Sequence, residues 1–258
     1  MVTIDQMWLA ERARELKAGI LFLTRLRYGA SEPVDGAMIG RAAWAFPVAG
    51  LLVGVVGAVV YGLAYHVGLP GWPAAALAVA ATMTLTGCLH EDGLADTIDG
   101  FGGGKTREEK LAIMRDRRTG VFGACVLAVA ILLKAGVLAS LGHGAAVAAA
   151  LIAANAGARA AMPFFLFLPA ARADGLAFDA GAPPRESTIA AGVIGLAAAV
   201  VALGPVPALM AAVLVFVAVA LFARLTIWQI GGQTGDVIGA VEQVCEIAIL
   251  VVASRAAV

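Results

Sequence analysis

The 258-residue chain is 61% hydrophobic and 14% charged, with a mean hydropathy of +0.92. Soluble domains carry about 25% charged residues, so this composition excludes one and describes a polytopic membrane protein. Eighteen basic residues balance eighteen acidic ones, which removes the electrostatic footprint that a nucleic-acid binder needs.

The first readable element is "MWLAERARELKAGILFLTRL", residues 7–26, in which apolar and basic positions mix. It predicts a helix that either lies amphipathically on the inner membrane surface or packs on the bundle as a lead-in to the first span. Apolar runs of about 20 residues, enough to cross a bilayer, follow near 42–66, 73–90, 120–141, 145–168, 188–203, 206–224 and 237–254. The expected fold is therefore all-α, a transmembrane helix bundle of about seven spans in a single integral membrane domain over residues 1–258. Residues 1–41 form its N-terminal segment, 90–119 its catalytic loop and 231–246 a second site motif. Cys88, Cys125 and Cys245 are far apart, show no CxxC spacing and read as packing residues.

Orientation follows from charge. The turns "GLPGWP" (68–73), "LGHGA" (141–145) and "LGPVP" (203–207) contain no Lys or Arg, whereas residues 1–41 and 90–119 hold six each. The positive-inside rule places the charged segments in the cytoplasm. The acidic residues fall in or beside those same segments, and since acids contribute little to topology they need another reason to be there. Two cations lie within spans. Lys134, towards an outer end, is expected to snorkel; Arg159, one helical turn after Asn155, is a functional candidate.

The densest chemistry is "HEDGLADTIDGFGGGK", residues 90–105. If the second span continues through it as helix, Asp92, Asp96 and Asp99 share one stripe. Two unit charges ~6 Å apart at an effective dielectric near 20 repel by roughly 3 kcal/mol, so the triad calls for a cation. Oxygen ligands select a hard ion such as Mg²⁺ or Mn²⁺, whose shell is commonly shared with substrate phosphates. The rise from Asp92 to Asp99 is about 10 Å, which suits two ions with Asp96 between them. A solvated acidic helix end neutralised by nearby Lys and Arg is the competing structural explanation. Gly102 and Gly103, in the glycine-rich break that follows, offer backbone amides to an anion. Beyond them "REEKLAIMRDRRTGVFG" (107–123) supplies Arg115 and Arg118, forked donors for phosphate, with Asp116 among them.

The last span opens with "GGQTGDVIGAVEQVCE", residues 231–246. Gly231, Gly232, Thr234, Gly235 and Asp236 have the composition of a helix N-terminus, which favours anions. Glu242 and Glu246 follow on one face inside a span, where carboxylates are costly. Both acidic motifs fall at the same leaflet, which argues for one site.

These motifs, with "FLTRL" (22–26), resemble the cobalamin synthase family, the adenosylcobinamide-GDP ribazoletransferases. The resemblance implies a Mg²⁺-dependent enzyme of the bacterial inner membrane that joins adenosylcobinamide-GDP to α-ribazole or its 5'-phosphate and releases GMP. Its partners would be those corrinoid and ribazole substrates and membrane lipid, with a homo-oligomer left open. By position, Asp92, Asp96 and Asp99 match the family's acids and would hold the metal. Arg115, Asp116, Arg118 and Gly120 match its arginine loop, and Arg159 stands where an arginine is expected. Gly231, Gly232, Thr234, Gly235, Asp236 and Glu242 match the closing motif. Asp116 and Asp236 join the triad as catalytic candidates; the arginines, the glycines at 102, 103, 231, 232 and 235, Thr234 and Glu242 are substrate-binding candidates. The alternatives are a CDP-alcohol phosphatidyltransferase-like enzyme, whose DGxxAR motif is missing, and an ion or proton-coupled carrier, against which stand the one-sided acids.

Overall fold

The computed structural model describes residues 4–26 and 35–256. Among them the architecture is all-α, with no strand beyond an isolated bridge between Ala170 and Gln233. Helix α1 (Ile4–Leu23) has two halves. Met7, Trp8 and Leu9 stand exposed near its start, whereas Glu15, Ala18 and Leu23 are buried. The Trp44 indole donates to Glu15 at 2.6 Å and Arg12 pairs with the same carboxylate at 2.8 Å, which anchors the second half on the bundle. The packed lead-in is thus the C-terminal half, and the exposed trio is the part free to meet a membrane surface.

Helix α2 (Gly36–Arg41), a short 3-10 turn and α3 (Phe46–His66) form the first apolar crossing. Next come α4 (Gly71–Thr86) and α5 (Leu89–Gly103), set at 89° to each other. The break falls at Gly87 and Cys88, both in the left-handed region, at φ 66° and 57°. The 16 residues of α4 reach about 24 Å at 1.5 Å per residue, short of the roughly 30 Å hydrocarbon core. Counted as one segment the bent pair is a further candidate crossing, with α5 turned across the end of the bundle. A capped surface helix follows, α6 (Arg107–Ile113), in which Thr106 and Glu109 form a reciprocal capping box. Then come α7 (Val121–Ser140), α8 (Gly144–Phe165), the short α9 (Leu176–Ala180), α10 (Arg185–Leu203), α11 (Pro205–Ile230) and α12 (Gly235–Ala256). Among the described residues six segments are long and apolar enough to cross, seven with the bent pair.

The sixth span runs to Ile230 rather than ending at 224, because Arg224 lies on an exposed face and does not interrupt the helix. Helix α8 is the central one, packed against α3, α10 and α12. Its alanine-rich sequence lets neighbours approach to backbone distance, as small residues do in membrane bundles: a Cβ on Gly54 of α3 would sit 2.7 Å from the Leu151 carbonyl oxygen. Helix α12 is mostly buried between α8, α5 and α11, whereas α11 turns most of its apolar surface outward. Successive crossings alternate in direction, so the Lys/Arg-free turns gather at one end. The start of α5, residues 104–120, residues 166–184 and the start of α12 gather at the other.

Candidate active site

At that charged end a cavity of about 250 Å³ opens where the first turns of α5 and α12 meet the segment between α8 and α9. Asp92 and Gly93 line it from α5, Gly235 and Asp236 from α12 with Thr234 just before them, and Arg172 and Asp174 from the connecting segment. Each wall has a local cause. The bend at Gly87 and Cys88 aims α5 at α12, and the helices touch through small residues, with a Cβ on Gly239 only 3.3 Å from His90 Cα. Gly231, at φ 78°, ends α11. The Gln233 amide then donates to Pro169 O, and its carbonyl accepts from the Ala171 amide, both at 2.8 Å, which fixes the connecting segment beside the new helix. Thr234 Oγ1 accepts from the Val237 amide at 3.3 Å and donates to Asp236 at 3.1 Å. The Arg172 guanidinium lies 3.4 Å from Asp236 and 3.5 Å from Asp174.

Half-buried Asp96 has Asp92, Asp236 and Asp99 as its negative neighbours and only Arg172 as a positive one. The acids of the two motifs thus share one electrostatic neighbourhood, short of positive charge. Among the described residues no three His, Cys, Asp or Glu side chains converge closely enough to form a metal site by themselves.

Several expected site residues do other work. Asp99 is buried at the far end of the stripe, where its two oxygens accept from the Gly120 amide at 2.7 Å and the Gly123 amide at 2.8 Å. It caps the start of α7, satisfying donors that a helix N-terminus leaves unpaired. This departs from the expected third metal ligand. Gly102 and Gly103 lie within α5, their amides in helical backbone, and face Phe122 and Ile113. They make a packing surface where a phosphate-binding break was expected. Asp116 is exposed and accepts from Arg118 at 2.7 Å, and that hydrogen bond holds its carboxyl at about 2. Neither side chain lines the cavity, so the pair shapes its own turn. Arg115 reaches the rim indirectly, through a 2.7 Å bond to Asp174. Gly231 and Gly232 hold the turn before α12 outside the cavity lining, Gly232 directly against Pro169 O.

The family model for cobalamin-5-phosphate synthase matches residues 15–254. The chain belongs to that family. It is 50% identical over 241 residues to the adenosylcobinamide-GDP ribazoletransferase of Bradyrhizobium diazoefficiens, covering 93% of each chain. A protein of the same name from Mesorhizobium japonicum is 49% identical over 238 residues, covering 92% of this chain and 91% of the other. That of Azorhizobium caulinodans is 41% identical over 246 residues, covering 92% and 93%. No solved structure matches the chain. Neither the phosphatidyltransferase nor the carrier alternative is supported by these relatives.

Behind the cavity this member of the family carries a buried ionic network that the motifs only partly announce. Arg159 and Glu242, expected to contact substrate, are buried and pair with each other at 2.7 Å. The reason is physical: a carboxylate inside a span needs a counter-ion. Lys134 does not snorkel; it is 2% exposed and lies 2.9 Å from Glu246 and 3.3 Å from Glu91. Asn155 Oδ1 accepts from Arg159 at 2.8 Å, and the Gln243 amide donates to Glu242 at 2.9 Å. His90, whose ring reaches Arg159 at 3.3 Å, also lines the cavity and so joins network to site. Sequence reasoning missed Lys134 and Glu91 as partners, and Arg172 and Asp174 as site residues. The signal for the last two was present: two opposite charges between Pro169 and Gly175 in a short connection between spans.

Proposed function

We propose that this protein is an adenosylcobinamide-GDP ribazoletransferase of the bacterial inner membrane, with its site open to the cytoplasm. It joins adenosylcobinamide-GDP to α-ribazole or its 5'-phosphate. The observation that carries the reading is the meeting of the acids of α5 and α12 at one cavity, in a chain whose relatives bear that name. The cytoplasmic orientation rests on the Lys and Arg residues gathered at the cavity's end of the bundle.

In the reaction a ribose hydroxyl of ribazole forms a bond to the phosphorus attached to cobinamide. The bond from that phosphorus to the bridging oxygen breaks, GMP departs with the electron pair, and the hydroxyl proton is released. Such a transfer needs positioning and charge neutralisation more than covalent help. Asp92 and Asp236, which line the cavity, are the residues that would hold Mg²⁺, with Asp96 beside them adding negative charge. The two carboxylates are oxygen donors in surroundings short of positive charge, and Mg²⁺ needs only one or two carboxylates when phosphates complete its shell. When bound it neutralises the diphosphate. Arg172 holds Asp236 in place and adds positive charge beside it. The start of α12 presents the backbone amides of Gly235 and Asp236 to an anion. The test is purified protein in liposomes: GMP release that needs both substrates and stops on chelation is expected. Ion flux without turnover would favour a carrier.

A further inference from the structure

A second cavity, of about 360 Å³, lies between α8, α10 and α11 and shares no lining residue with the charged one. Gly157 and Phe164 line it from α8, Gly192 and Ala199 from α10, and Ala212 and Phe216 from α11; none of its lining residues carries a polar side chain. These helices are long and apolar enough to cross a membrane, so the cavity faces hydrocarbon and not water. It opens on the outside of the bundle, where Phe164 is 46% and Phe216 72% exposed. Packing is the cause. Helix α10 lies directly on α8, with a Cβ on Gly195 only 2.4 Å from Ala160 Cβ, whereas α11 leans on α12 and scarcely on α8. We propose that this groove binds one acyl chain of a membrane phospholipid and that Arg185 holds the lipid's anionic headgroup.

Size and charge together assign the occupant. From Gly192 to Ala199 the groove follows α10 for about 10 Å. A packing helix about 10 Å across would need about twice the cavity's volume over that length. A single hydrocarbon chain fits, and it supplies the dispersion contacts that the walls lack when nothing fills the groove. Arg185 opens α10, seven residues before Gly192, and so stands close to two full turns below it on the same face. It is exposed, and among the described residues it has no hydrogen-bond or ion-pair partner. Neighbouring Glu186 lies about 100° round the helix. An unpaired guanidinium at the hydrocarbon boundary, in line with an apolar groove, complements a phospholipid: the forked donors take the phosphate while the chain runs inward. Arg224, equally exposed at the same end of α11, lies about 140° round its helix from the lining residue Val219, off the groove.

The test is native mass spectrometry of the purified full chain in detergent, titrated with dioleoyl phosphatidylglycerol or dioleoyl phosphatidylcholine. One phosphatidylglycerol should stay bound, about fivefold more tightly than phosphatidylcholine, the effect of one arginine on an anionic lipid. Arg185→Gln should remove that preference and keep the binding, whereas Arg224→Gln should keep both. Gly192→Leu, which fills the groove beside Phe164, should remove tight binding of either lipid. Phosphatidylglycerol carrying a photoreactive group in its acyl chain should label Phe164 and Phe216 ahead of Val59, an exposed side chain of α3. Equal binding of the two lipids by the unaltered chain overturns the proposal, as do equal effects of Arg185→Gln and Arg224→Gln. So does labelling spread evenly round the bundle, or a Gly192→Leu chain that keeps its lipid. A dimer that Gly192→Leu abolishes would place a second copy in the groove and overturn it too. The comparison of the two lipids uses the unaltered chain, so misfolding of a variant does not enter it.

Discussion

Gly93 of α5 rests directly on the backbone of Asp236 at the start of α12: a Cβ on Gly93 would stand 2.6 Å from the Asp236 carbonyl oxygen. Two motifs far apart in sequence are thereby held at backbone contact. Gly93→Ala has to push α5 and α12 apart, which displaces Asp92 and Asp236 together. Turnover should fall by about 100-fold, as for small misplacements of reacting groups, with the protein still inserted. Gly62→Ala, on α3 with nothing within 4 Å of the added carbon, is the matched control. It should be neutral or slightly stabilising, by up to about 1 kcal/mol. Turnover and thermal unfolding of both variants in detergent check this.

The acids of α5 should separate into two classes. Asp92 lines the cavity, so Asp92→Asn is expected to cost about 100-fold or more in turnover with little change in unfolding temperature. Asp99 accepts from two backbone amides at the start of α7, and Asn offers only one acceptor oxygen there. Asp99→Asn should therefore destabilise the protein by about 1–3 kcal/mol, the cost of a buried donor left unpaired. Unfolding curves of the two variants distinguish them; equal melting would return Asp99 to a role like that of Asp92.

In the interior network, Lys134→Met strands Glu91 and Glu246 without their shared cation. Loss of one partner from a buried ion pair costs about 3–5 kcal/mol. A second change, Glu246→Gln, should recover part of that loss, because the uncompensated charge goes with it. Thermal stability of the single and double variants is the measurement, and independent, additive losses would show that the pairing contributes little.

Much of the fold was legible because hydrocarbon thickness sets a length that apolar runs must match. The crossings at 42–66, 120–141, 145–168, 188–203 and 237–254 follow from that constraint alone, whereas 73–90 falls on a bent pair and 206–224 runs on to Ile230. What it did not reveal was set by packing. The stripe of Asp92, Asp96 and Asp99 is real, but the left-handed pair Gly87 and Cys88 turns it across the bundle, and a left-handed cysteine has no composition signal. "GFGGG" reads as a break from its glycines, but Gly100–Gly103 continue α5, with Met114, Phe122 and Ile113 packed where side chains would otherwise stand, and the break comes only at Gly104. Lys134 was placed by its distance from a span end, whereas its position follows from carboxylates on α5 and α12. The closing motif was legible as a helix start through Thr234, Gly235 and Asp236. Asn155 and Arg159 were legible as sharing a face. That Arg159 meets Glu242 depends on how α8 and α12 pack.

Orientation has its own check. In a chain with Cys88, Cys125 and Cys245 replaced by alanine, a cysteine at Gly142, in a turn free of Lys and Arg, should react with an impermeant thiol reagent in intact cells. One at exposed Lys105, at the cavity's end, should react only after permeabilisation. The reverse pattern would place the cavity outside the cytoplasm.

The central claim is that α5 and α12 build one site, and a double-mutant cycle on Asp92 and Asp236 tests it most directly. Both side chains line the same cavity, and their helices meet at Gly93. GMP release from adenosylcobinamide-GDP and ribazole is measured for Asp92→Asn, Asp236→Asn and the double variant, each shown to be inserted and folded. Residues that act as a unit lose their effect together, so the double variant should be nearly as active as the worse single one. A double loss equal to the product of the two single losses would contradict the account and show that the two motifs act separately.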